Sequence, residues 1–345
     1  MTAVPEARQV HGSAPVTGTS VPGTARLRPE EHDAVGEAVR WAPSIHNSQP
    51  WRLRKHPDGL TVLEDSARSV PVIDPAGRDR TISCGAAIFN AWISLRTLGH
   101  DTAVNLLPDP LDPAALATLH RVGPRAPSEQ EDLLHRMIPL RHTHRRVYRS
   151  NVVAEDDLLE LRRAVSAEGA RLSVADPAAR RRLAGLLRRA AYAQAADTEI
   201  RREVEQWVRR GTPDRTVVDG IPSNALGTSP FPVDSLVHGG TRGVPEAEEV
   251  EAELARSTVL VLSTREDTRR DWVTAGMALE RLLLTATAMG LVAAFAEQPL
   301  QDPQMRPQVA DALEIWGHPQ LLLRVGRPLV DAVATPRRPL TELFE

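Results

Sequence analysis

A chain of 345 residues with 41% hydrophobic and 25% charged residues has the make-up of a water-soluble globular protein, long enough for one large domain or two ordinary ones, which excludes fibrous and disordered classes. Its net charge of -3 excludes a global attraction to phosphate polymers; the lone Cys84 excludes an internal disulfide and a cysteine-rich zinc site; and Lys55, as the one lysine, excludes a P-loop lysine. No apolar run approaches the ~18 residues of a membrane span, so a cytoplasmic protein without membrane contact is expected.

Residues 1–27 mix Pro, Gly, Thr and charges and read as a disordered arm. Arg28-Pro29-Glu30-Glu31-His32-Asp33 then carries the proline and acids of a helix first turn, and Pro43 ends that helix, leaving residues 43–51 on a loop. Trp51–Arg54 and Leu60–Leu63, joined through Pro57-Asp58-Gly59, predict a β-hairpin. Residues 85–99 are apolar almost all round and close on Gly99, predicting a buried helix, with a short strand over 103–107. Helical patterns follow at 155–168 and 176–210. The arginines of the second are interleaved with Glu199, Glu203 and Glu205, as on a solvated face and not a nucleic-acid surface. Residues 211–244 form a long Gly-, Pro- and Ser-rich stretch of the length that functional loops have. Strands are expected at 257–263 and 319–326. The spacing Gly85 to Gly99 recurs as Gly276 to Gly290, with Pro108 and Pro299 at the same distance beyond, which points to a duplicated unit.

Two strings carry candidate chemistry. Pro43-Ser44-Ile45-His46-Asn47-Ser48-Gln49-Pro50-Trp51 offers small residues and uncharged hydrogen-bonding groups, suited either to a flat polar ring or to a capped loop whose Ser44 and Asn47 bond local backbone. In Arg141-His142-Thr143-His144-Arg145 two arginines flank a hydroxyl, a donor set that matches a phosphate. His142 and His144 lack a nearby carboxylate or cysteine to complete a metal site, so no metal is expected.

The first string resembles the flavin-contacting loop of the nitroreductase superfamily, and the second resembles the Arg-x-Ser/Thr-x-Arg/Lys sequence by which that family grips the FMN phosphate. The resemblance implies an α+β fold with central, mainly antiparallel sheets flanked by helices. It implies FMN contacts from Pro43, Ser44, Ile45 and Asn47, with Trp51 in the core and His46 as packing. Phosphate and ribityl contacts would come from Arg141, His142, Thr143 and Arg145, closed by Arg337 and Arg338. Leu291–Gln298 resembles the segment whose backbone lines the flavin, giving Ala296 and Glu297. The strings are split along the chain, which implies two fused nitroreductase-like halves, residues 28–125 and 126–345, as in the Acg branch, with a possible lid at 211–244. The implied activity is FMN-dependent transfer from NAD(P)H to a small electrophile, nitroaromatic or quinone-like, or oxidation of a small metabolite. The alternative is an FMN-sequestering protein. No catalytic side chain is assigned. The partner is a small-molecule substrate, with no nucleic acid or membrane, and the chain would act as a monomeric pseudo-dimer or a homodimer.

Overall fold

The computed structural model describes residues 26–149, 152–210, 216–226 and 244–345. The proposed lid thus lies largely outside the described residues, as does most of the arm; Leu27, at the arm's end, is buried and donates its N–H to the Pro57 carbonyl at 2.8 Å. Helix α1 (Pro29–Arg40) opens on its proline and on Glu30 and Glu31 and buries Val35 and Val39. After the loop, β1 (Trp51–His56) and β2 (Gly59–Glu64) pair as the expected hairpin, Trp51 opposite Glu64. Helix α2 (Arg78–Thr97), β3 (His100–Leu106) and β4 (Ala115–Pro124) complete an antiparallel sheet in the order β1-β2-β4-β3.

Helices α3 (Glu129–Met137) and α4 (Glu155–Ala167) lead into the second half, where β5 (Arg171–Val174) is followed by α5 (Pro177–Ala196), α6 (Thr198–Trp207), the short pair β6 (Val208–Arg209) and β7 (Ile221–Pro222), and α7 (Ala247–Leu254). Then come β8 (Thr258–Thr264), α8 (Arg269–Ala288), β9 (Val292–Phe295), the short α9 (Gln298–Gln301), α10 (Arg306–Leu313) and β10 (His318–Gly326), giving a second antiparallel sheet in the order β5-β8-β10-β9. The run β1-β2-α2-β3-β4 is therefore matched in connectivity by β5-β8-α8-β9-β10, each run preceded by a helix. The α5–α7 region is an insertion peculiar to the second copy. The fold is α+β, as expected.

The glycine spacing has a packing cause. Helices α2 and α8 cross where Gly85 meets Gly276: a Cβ on Gly276 would fall 2.0 Å from the Ile82 carbonyl oxygen, and one on Gly85 2.3 Å from that of Val273. Side chains at either position would push the helices apart. Gly99 and Gly290, with φ of 87° and 70°, supply the left-handed residue just past each helix. One core gathers Val39, Trp51, Leu53, Leu116 and Leu119 beneath the first sheet, another Leu161, Leu260, Leu262, Leu282 and Leu323 beneath the second.

Three expectations are refined. Helix α2 begins at Arg78, two turns before Gly85. The 176–210 helix breaks at Asp197, whose carboxylate accepts the Glu199 and Ile200 N–H groups and caps α6. Strand β4 and helix α3 lacked a clear pattern in sequence. Among the described residues no helix is long and apolar enough to cross a membrane.

Candidate active site at the junction of the halves

The loop after α1 is held in a conformation its sequence alone would not choose. His46, Asn47 and Gln49 have φ of 48°, 56° and 51°, in the left-handed region that only asparagine of the three tolerates well. Strain of this kind persists only where surroundings over-determine it. Ile45 N–H donates to Ser83 Oγ at 3.1 Å, and Gln49 N–H to Ser44 Oγ at 2.9 Å. The Asn47 amide donates to the carbonyls of Gly220 and Pro336, both at 2.9 Å, and the Gln49 amide to Val218. Arg338 clamps the far end, its guanidinium donating to the carbonyls of Gln49 and Trp51 and its N–H to Gln49 Oε1.

Against this loop the second half brings the arginine string. Thr143 forms an isolated bridge with Ala293 of β9, and His144 N–H donates to the Ala293 carbonyl at 2.8 Å, seating residues 143–145 beside β9. Between loop and string lies an open-mouthed cavity of about 170 Å³. Pro43, Ser44, Ile45, Thr143, Arg145 and Glu297 line it, together with His46, Asp79, Ser83 and Gln298. Val204, Trp207 and Val208 at the end of α6 and the start of β6, with Ile221 and Leu226, form an apolar wall, part of a cluster that packs on Ile45. Asp219 pairs with Arg68 at 2.8 Å and with Arg209, tying this wall to the first half.

The other candidates stand around the cavity without lining it. Asn47 and Arg338 hold the loop. Ala296 is fully buried, and its N–H is taken by the Leu322 carbonyl at 2.9 Å, which leaves Glu297 as the member of that pair facing the cavity. Arg141, His142 and Arg337 gather about Trp41: Arg141 donates to the Trp41 carbonyl at 3.1 Å, the His142 ring lies edge-on to the indole, and the Arg337 guanidinium sits over it at 5.4 Å while donating to Asn47 Oδ1 at 2.9 Å.

Electrostatics sort the site into two ends. Burial, then the repulsion of Arg141, lowers the Arg337 pKa, Arg145 adding to that repulsion. The carboxylate of Glu280 is wholly enclosed, and burial pushes it up to about 7 despite Arg141 at 3.8 Å. This end therefore carries an excess of confined positive charge that an anion would offset. At the other end, burial and then the Asp79 carboxylate push Glu297 up to about 8, while burial and then Arg145 hold His46 down to about 4. These shifts favour the neutral form of each at pH 7, and among the described residues Glu297 Oε2, Gln298 Oε1 and His46 Nε2 have no hydrogen-bond partner. Perturbed groups in a cleft mark functional sites.

The Nitroreductase family model matches residues 140–327. A Mycobacterium tuberculosis protein provisionally named an NAD(P)H nitroreductase is 34% identical over 317 residues, covering 89% of each chain. The chain belongs to the nitroreductase family. A second relative from that organism, provisionally named NAD(P)H nitroreductase acg, is 30% identical over 322 residues, covering 90% of this chain and 95% of its own. Among solved structures, the FMN-dependent nitroreductase NfnB of Mycobacterium smegmatis, crystallised with NADPH, aligns at 19% identity and a TM-score of 0.41, covering 61% of this chain and 96% of that one.

The nitroreductase match falls on the second half, which holds the arginine string, whereas the strained loop comes from the first. Asp79, Ser83, Gln298 and the apolar wall were not anticipated from the sequence. The one available signal was Gly77 before Arg78-Asp79, a helix start with an acid in its first turn; Gly77 has φ of 71° and caps α2.

Proposed function

We propose that the cavity between the halves, residues 28–125 and 126–345, binds FMN, and that the protein passes reducing equivalents from NAD(P)H to a small electrophile such as a nitroaromatic or quinone, working as a monomeric pseudo-dimer or a homodimer in the cytoplasm. The observation that carries this reading is the convergence of Pro43, Ser44 and Ile45 from one half with Thr143 and Arg145 from the other on a single cavity. The residues fit the group. Arg145 and Thr143, backed by the confined cations Arg141 and Arg337, would hold the phosphate, and the small loop residues would lie against the ring. FMN supplies the hydride chemistry when bound. The chain's own contribution is to place the ring, exclude water with the wall at Val204, Trp207 and Leu226, and offer neutral hydrogen-bonding groups at the Glu297 end. The names of the mycobacterial relatives support the same reading.

The apolar wall also favours a second reading, in which FMN is held without turnover beneath it. Purified protein mixed anaerobically with NADPH and then NADH separates the two. Bleaching of the oxidised-flavin band within seconds supports the enzyme, and a bound flavin inert to both donors supports sequestration. Protein that takes up no FMN overturns both.

A further inference from the structure

The carboxyl of Glu297 is presented to the cavity in a distinctive way. Its Oε1 accepts the Leu322 N–H of β10 at 2.9 Å, while Oε2 is shielded and has no hydrogen-bond partner among the described residues. Charged neighbours reach it from each packed element: Asp79 and Arg78 at the start of α2, and Arg306 from α10. The carboxylates and guanidiniums pair among themselves, Arg78 with Asp79 and Arg306 with Asp267, and among the described residues Glu297 has no salt bridge. A buried carboxyl without an ionic partner keeps its proton.

We propose that Glu297 is the proton donor to the electron acceptor when that acceptor is a neutral, flat, largely apolar quinone. Ile73, Val204, Trp207, Leu226 and Phe295 give the cavity an apolar lining that suits such a molecule. The inference rests on the FMN reading for its reductant. Reduction of a quinone to a hydroquinone takes two electrons and two protons. A hydride equivalent comes from the reduced flavin, recharged by NAD(P)H. The second proton comes from Glu297: its Oε2–H bond breaks, a quinol O–H bond forms, and the electron pair stays on the carboxylate, which Leu322 N–H stabilises until water reprotonates it.

Two measurements test this. Infrared spectra of the full chain without cofactor are expected to show, in the difference between wild type and Glu297→Gln, a protonated-carboxyl band that disappears as pH rises through about 8. In anaerobic mixing of the pre-reduced holoprotein with benzoquinone, the wild-type rate is expected to fall over the same pH range, and Glu297→Gln, saturated with FMN, to be slower by ~100-fold or more with no pH break. A missing band, or a variant that reoxidises at the wild-type rate with the wild-type pH profile, overturns the proposal. Loss of FMN affinity in the variant also overturns it, since Glu297 then serves binding. If wild type itself binds no FMN, the flavin reading fails while the infrared titration still reports on Glu297, so the two failures are distinct.

Discussion

Residues of the same type take different parts at this site. Arg145 lines the cavity, whereas Arg338 donates to the Gln49 and Trp51 carbonyls and fastens the loop. Arg145→Gln is accordingly expected to weaken FMN binding by ~1.5–3 kcal/mol, the worth of a hydrogen bond to a charged group, with little change in stability. FMN titrated into apoprotein and followed by flavin fluorescence measures this, and an unchanged Kd would remove the phosphate from that end. The sequence marks both positions as arginines near a candidate phosphate site. It does not say which guanidinium meets a ligand and which meets backbone, because that depends on chain segments some 290 residues apart closing on each other.

At the scale of elements, the helix crossing is the tightest constraint. Gly276→Ala places a methyl 2.0 Å from the Ile82 carbonyl, so it is expected to destabilise by at least ~1–3 kcal/mol, read as a lower urea midpoint at constant slope. A midpoint equal to wild type would show that the helices separate freely. The turn between β8 and α8 supplies a pH-sensitive tie. Asp267 accepts two bonds from Arg306 and one each from Trp272 and Gln320, and although burial acts against it, these bonds hold its carboxyl well below the usual range. A carboxyl with a lowered folded-state pKa stabilises above its unfolded value near ~3.9 and loses that contribution as pH falls toward the folded value. Asp267→Asn should therefore melt lower than wild type at neutral pH and converge with it in acid; a gap that persists in acid would mean the tie is not ionic. Helix α2 shows why element boundaries were only partly legible. Its apolar stretch announced the helix from Gly85, but the charged start at Arg78 and Asp79 is held by a contact distant in sequence, Arg78 donating to the Gln320 carbonyl in the other half.

At the scale of the whole molecule, the described residues form two copies of one motif packed against each other. Helix α2 is buried on nearly every side, in part by α8, and the C-terminal strand of residues returns to the first half, where Leu53 N–H donates to the Leu343 carbonyl at 2.7 Å. Residues 26–125 expressed alone should lack a cooperative melt by circular dichroism, because that helix would expose an apolar face and β1 would lose its edge partner. A sharp transition in the isolated segment would make the halves independent domains.

The sequence by itself determined what depends on local pattern. Turn residues, helix punctuation and the repeat of Gly85–Gly99 at Gly276–Gly290 sufficed for most elements and the duplication, and the two strings, through the family they resemble, implied the α+β class and nominated the loop and the phosphate ligands. Only the tertiary structure decided which nominees face the cavity, that Asp79, Gln298 and an apolar wall join them, and that Glu297 sits there as a neutral acid. Burial and the proximity of distant charges set those outcomes, and neither is a property of any short stretch of chain.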